Sequence, residues 1–245
     1  MISIITVTFN CEELIQKTME SVKAVKRELI DLQHIIIDGK STDNTIDLIK
    51  QYQFDYLVSE KDEGIYDAIN KGIEQVDDTN YIAILHAGDT LCVDGFKQFL
   101  NVVKGSAPDL LAFSLSEQGC LIKRSDYRLS LLSPAVKHPG LVISKGLHNE
   151  LGFYDIGYQI SADYDFVCKV LNSKKSIYYC NDVLIDQAPY GFSGDQKRFI
   201  EKKLEHLSII SSHVKFPLRV LGILRILLDI LKGVLHLKMR KSKNV

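Results

Sequence analysis

The chain has 245 residues, of which 46% are hydrophobic and 25% charged. A chain of this size buries a full core without disulfides or a structural metal, which excludes the disordered, collagen-like and disulfide-scaffold classes. Its net charge of −1 argues against nucleic acid as a partner, but residues 215–245 hold eight Lys/Arg against one acid, Asp229, leaving a basic tail of +7 on a body of −8.

Ile2–Thr8 is a short β-branched run and reads as a buried strand. Asn10 with Glu13 three residues later suggests a capping box, and Leu14, Thr18, Ser21, Val22 and Val25 follow at helical spacing. His34–Ile37 is a second apolar run, closed by Asp38-Gly39. Ser41-Thr42-Asp43 opens a helix with Ile46, Leu48 and Ile49 on its inner side, and Tyr56–Val58 is a third strand. Gly64–Gln75 reads as helix and Tyr81–Leu85 as a fourth strand. Strands alternating with helices predict an α/β fold with a mostly parallel sheet covered on both faces. Beyond Asp89 the expected order is a helix over Phe96–Val103, a strand over Leu110–Leu115 and a loop or hairpin region at 116–135. A strand at Leu141–Ile143, a helix over Tyr164–Leu171, a strand at Ser176–Cys180 and a helix from Asp195 to Ser212 complete the body, and Pro217 breaks the chain before the tail.

In an open α/β sheet, ligands bind at the carboxyl ends of the strands. Those places hold Thr8-Phe9-Asn10, then Asp38 to Asp43, then Ser59 to Gly64, then His86 to Thr90. There is no GxGxxG and no GxxxxGK[ST], so a phosphate-bearing ligand is expected to be held through a divalent cation on carboxylates rather than on a glycine-rich loop. The five cysteines are odd in number and contain no CxxC, as expected of reduced thiols in a cytosolic protein. Met1 leads directly into Ile2–Val7 with no basic n-region, so a cytoplasmic body is expected.

The segments SIITVTFN, IIIDGKSTDNT, SEKDEGIYDAINKGI, ILHAGDTL and SADYDF occur in the order and spacing of the family 2 glycosyltransferases. The chain resembles that family over about residues 1–190, in particular the bacterial enzymes that build surface polysaccharides. The resemblance implies a GT-A fold and inverting transfer of a sugar from a nucleoside-diphosphate donor, with UDP the expected nucleotide, to a hydroxyl of a glycan or lipid-linked glycan. It implies Mg2+ or Mn2+ as cofactor, with Asp89 matching the last acid of the family's metal-binding motif, although His86 and Gly88 stand where earlier acids are usual. Asp38 matches the nucleotide-facing acid after the second strand, Thr8 and Glu60 are expected to line the same pocket, and Asp67 to face the donor. Asp163 matches the general base, with Ala162 in place of the preceding acid and Asp165 orienting or capping. His138 is expected to touch metal, diphosphate or acceptor.

Residues 215–241 alternate a narrow polar stripe with Leu, Ile and Val, and their uncharged stretches are too short to span a bilayer. The expected architecture is a catalytic domain at 1–214 and a basic amphipathic helical tail at 215–245 that lies on an anionic membrane at the cytoplasmic face of the inner membrane. The alternative is a helix packed on the body or on a second subunit in a homodimer. Two rival functions remain: a sugar nucleotidyltransferase, which would need a glycine-rich basic loop absent from TVTFNCEELIQK, and a degenerate membrane-bound scaffold.

Overall fold

The computed structural model describes residues 1–28, 32–78, 80–122, 138–189 and 198–242, with backbone alone for Ile122, His138 and residues 234–242. Residues 123–135 of the expected loop or hairpin region at 116–135, and the helix start at Asp195, lie outside the described residues.

Strands β1 (Ile2–Thr8), β2 (Leu32–Asp38), β3 (Tyr56–Ser59) and β4 (Tyr81–His86) alternate with helices α1 (Glu12–Glu28), α2 (Thr45–Ile49) and α3 (Ile65–Glu74). Then come β5 (Thr90–Leu91), α4 (Val93–Ser106), β6 (Leu110–Glu117), β7 (Cys120–Ile122), a 3-10 turn at His138–Gly140, β8 (Leu141–Ser144), α5 (Lys145–Leu151), α6 (Ala162–Asn172), β9 (Ile177–Gln187), α7 (Phe199–His213) and α8 (Leu218–Ser242). The sheet runs β3-β2-β1-β4-β8-β6-β9-β5, with β7 beside β6. The parallel character expected from the sequence holds for β3-β2-β1-β4 and for β6 with β9, while β8, β7 and β5 pair antiparallel, so the sheet is mixed.

Side chains on successive strand positions enter opposite faces. Ile5, Val7, Ile35 and Ile37 pack under α3, α5 and α6, with Ile69, Ile73 and Phe166. Ile2 and Ile4 pack on the other face with Val22 and Val25 of α1 and Phe96 and Phe99 of α4. A Cβ on Gly72 would stand 2.5 Å from Ile5 Cγ2, and one on Gly95 2.0 Å from the Val183 carbonyl oxygen. Glycine at these points lets α3 and α4 lie directly on the sheet, and α3 thereby starts at the carboxyl end of β1. Helix α1 starts at Glu12 rather than at an Asn10 cap. Asn10 takes a left-handed φ of 44° and accepts from the Thr42 amide at 2.8 Å, so the capping box does not form. Of the expected inner positions Thr18, Val22 and Val25 are buried, whereas Leu14 is exposed and Ile15 and Met19 are buried beside them.

The described part of the tail is built on one helix, α8, over Leu218–Ser242. Its Ile226 joins Tyr164, Cys168, Ile209, Ile210 and Val214 in a cluster shared by α6, α7 and α8. Lys203 of α7 pairs with Asp229 of α8 at 2.8 Å. Away from α7, α8 exposes Leu218, Val220, Leu221, Leu224, Leu227, Leu228 and Leu231. Among the described residues no helix is long and apolar enough to cross a membrane.

Candidate active site at the strand ends

Parallel register sets Thr8 opposite Asp38, and Asp38 opposite Ser59. Asp38 is fully buried, and its carboxylate accepts from Thr8 Oγ1 (3.0 Å), Ser41 Oγ (2.5 Å), the Ser41 amide (2.8 Å) and Ser59 Oγ (2.6 Å). An ionised carboxylate only accepts hydrogen bonds, and these four use most of its capacity. Its oxygens meet Thr8, Ser41 and Ser59 and so bind three strand ends together. Thr8, 5% exposed, spends its hydroxyl in the same knot.

Beyond β3, Lys71 of α3 meets Glu60 at 2.9 Å, Asp62 at 2.8 Å and Asp67 at 3.2 Å. Partial burial works against its charge, but the Asp62, Glu60 and Asp67 carboxylates prevail and hold the Lys71 ammonium above its ordinary range. Asp67 also accepts from the Glu63 amide at 3.0 Å, at the start of α3. Glu60 and Asp67 thus share one cation beside the strand ends, with Glu60 exposed.

At the end of β4, Thr18 of α1 staples the turn: its hydroxyl accepts from the Gly88 amide at 2.8 Å and donates to the Asp89 carbonyl at 2.9 Å. Asp89 is 5% exposed and accepts from the Ala188 amide at 2.8 Å. Burial, and then the charge of Asp186, push its carboxyl up from 3.8 to about 6 against the hydrogen bonds from Ala188 and His86. A buried carboxylate that is costly to ionise is of the kind that suits a hard divalent cation, which takes oxygen ligands and cancels that charge. Among the described residues no three His, Cys, Asp or Glu side chains form a cation cage.

The two acids of α6 diverge. Asp163 Oδ1 accepts from the Tyr164 amide at 2.8 Å and meets the Tyr66 hydroxyl of α3 at 3.1 Å. Burial pushes its carboxyl above the usual range. Asp165 turns away: it binds His213 Nε2 of α7 at 2.7 Å and Lys169 at 2.7 Å. Burial opposes its charge, but His213 and Lys169 prevail and lower its pKa. It ties α6 to α7. His138 lies in the 3-10 turn before β8, and its side chain is outside the described residues.

Helix α3 is the link between the two groups, since it carries Asp67 and Lys71 beside the strand ends and Tyr66 against Asp163. A shallow depression lies here, lined by Glu63, Gly64, Tyr66, Asp67, Tyr158 and Gln159. Sequence reasoning missed Tyr66, Lys71 and Glu205 of α7; the SEKDEGIYDAINKGI segment contained the first two, and Glu205 carried no local signal.

Residues 3–115 match the family described as Glycosyl transferase family 2. An uncharacterized glycosyltransferase of Mycobacterium tuberculosis is 30% identical over 179 residues, covering 69% of this chain and 68% of that protein. The chain belongs to the family 2 glycosyltransferases. A second family relative, a PGL/p-HBAD biosynthesis glycosyltransferase of Mycobacterium bovis, is 25% identical over 181 residues, covering 68% of each chain. The family fold is also that of S. aureus TarS, solved in complex with UDP-GlcNAc, at a TM-score of 0.69 with 15% identity over 92% of this chain and 71% of that one. The mannosyltransferase PcManGT from Pyrobaculum calidifontis, solved with GDP-Man and Mn2+, superposes at 0.70 with 15% identity over 92% of this glycosyltransferase and 68% of that chain. Asp163 lies beyond the 113 residues of the family match.

Proposed function

We propose that this glycosyltransferase moves a sugar, with inversion, from a nucleoside-diphosphate donor to a hydroxyl of a glycan or lipid-linked glycan in surface-polysaccharide synthesis. One observation carries the reading: a carboxylate with its affinity for protons raised by burial, Asp163, is held by Tyr66 on the helix that starts at the strand ends. A general base works best when its pKa approaches the working pH. Asp163 takes the proton of the acceptor hydroxyl as that oxygen bonds to the anomeric carbon. The bond from that carbon to the diphosphate oxygen breaks, and its electron pair leaves with the nucleoside diphosphate. One base suffices, because no covalent intermediate forms.

Asp89, with donor phosphates, would hold Mg2+ or Mn2+, which supplies charge neutralisation at the departing diphosphate. Mn2+ in the PcManGT complex supports this choice of metal, and UDP-GlcNAc in the TarS complex supports a uridine donor. The Asp38 knot shapes the nucleotide pocket from beneath, with Glu60 and Asp67 on its wall.

Residues 1–214 form the catalytic part and 215–245 a membrane-associating tail. The exposed leucines of α8, flanked by Lys215, Arg219, Arg225 and Lys232, fit the cytoplasmic leaflet of an anionic membrane, where a lipid-linked acceptor would lie. The test is a panel of UDP- and GDP-sugars with Mn2+ or Mg2+ and lipid-linked acceptors, with the anomeric configuration of the product read by NMR. An inverted product is expected. Absence of both transfer and donor hydrolysis across the panel would favour the scaffold reading instead.

A further inference from the structure

Helix α7 lies outside the family match, yet it reaches the segment just before the base. Glu205 accepts from the Gln159 amide at 2.7 Å and from the Ile160 amide at 3.1 and 3.3 Å. The carbonyl of the same residue, Ile160, accepts from the Tyr66 hydroxyl at 2.9 Å. Residue 160 is therefore clamped at both ends, by α7 through its N–H and by α3 through its C=O. Tyr66 has one proton and two acceptors within reach, the Ile160 carbonyl and Asp163 Oδ1. The position of residue 160 decides how that proton is shared. Ser208 and His213 add α7 contacts to Tyr158 and Asp165 on either side of the base.

We propose that Glu205 is a positioning residue for the base: it holds the 159–160 backbone so that the Tyr66 proton is shared with the Ile160 carbonyl rather than given wholly to Asp163, which keeps Asp163 basic enough to receive the acceptor's proton. This rests on the glycosyl-transfer reading above. If Glu205 is removed, the 159–160 segment loses its anchor, and Tyr66 turns its proton wholly to Asp163. A hydrogen bond to the charged form makes a carboxylate a weaker base. The other groups facing Asp163 are the Tyr154 hydroxyl, Lys202 of α7, and on its own helix Asp165, whose charge is already paired with His213 and Lys169.

The experiment compares the full-length wild type with Glu205→Ala, Glu205→Gln and Tyr66→Phe, measuring kcat, donor KM and the pH profile of kcat. Glu205→Ala should lower kcat by roughly 10- to 100-fold, the scale of a misplaced catalytic group, with donor KM little changed. The acid limb of its profile should move to lower pH. Glu205→Gln keeps one acceptor oxygen and should fall between, which also covers the case in which the alanine variant fails to fold. Tyr66→Phe should move the limb the other way, and adding Glu205→Ala to it should produce no further shift. An active wild type whose kcat and limb are unmoved by Glu205→Ala overturns the proposal, as does an equal shift in the Tyr66→Phe background. A wild type inactive on every donor overturns the transfer reading itself, and this inference with it.

Discussion

Replacing Asp89 by Asn separates the cost of a buried charge from its use. The side chain keeps its shape, and its oxygen can still accept from the Ala188 amide. What it loses is ionisation. The carboxyl sits at about 6 in the fold against 3.8 as a free group. At about 1.4 kcal/mol per pH unit, ionising it in the fold costs about 3 kcal/mol. The sign follows from proton counting. Between those two values the native state keeps a proton that the unfolded chain has released, so stability falls as pH rises, and the full cost stands above about pH 6. In metal-free buffer, Asp89→Asn should therefore be more stable than wild type by about 3 kcal/mol at pH 7.5, or roughly 6–12 °C in Tm for a chain of this size. Below about pH 4 the difference should vanish. Urea melts at the two pH values measure it. Adding Mn2+ with UDP should then stabilise the wild type and leave the variant unchanged, because only the carboxylate can be neutralised by the cation. A variant no more stable than wild type at pH 7.5, or equally stabilised at both pH values, would refute the reasoning.

Asp163→Asn should cut transfer by ~10²–10⁴-fold with donor affinity kept, whereas Asp165→Asn should lower Tm, by loosening α6 from α7, and retain most of its turnover. Asp38→Ala leaves four donors from Thr8, Ser41 and Ser59 without their acceptor, the Thr8 hydroxyl among them buried, and should cost about 1–3 kcal/mol in a urea melt; a loss under about 1 kcal/mol would mean the knot is dispensable. Leu224→Glu with Leu228→Glu, both on the exposed side of α8, should abolish flotation with anionic vesicles and leave thermal stability within about 1 kcal/mol; unchanged flotation would point to α8 packing on protein instead.

The first four strands were legible because parallel strands, covered on both faces, read as unbroken β-branched runs such as Ile35–Ile37. Helix α1 was legible as a helix, with its inner face right at Thr18, Val22 and Val25 and wrong at Leu14. Asn10 looks like a cap in sequence, but its side chain is taken by the Thr42 amide and the helix starts at Glu12. Strand β5 and helix α5 were not read at all, being two and seven residues long. At the site, sequence marks which acids stand at strand ends but not which way they turn. Asp38 is legible as an acid at a strand end, but the convergence on it of the hydroxyls of Thr8, Ser41 and Ser59, each at or beside a strand end, is not. Glu205 was invisible for a different reason: its partners are 45 and 46 residues away in the chain.

The Asp38 knot also bears on how such an enzyme changes its substrate over evolutionary time. Its bonds lie under the loops, and the residues above it are spared that duty: Phe9, 64% exposed, and Lys40, exposed at a left-handed turn, stand at the mouth of the same strands. On the proposed donor reading, drift at those two positions would change what meets the nucleotide without loosening the strand ends beneath it. Scaffold and selectivity would then be inherited separately, a new donor preference arising from surface substitutions while the fold beneath stays as it was.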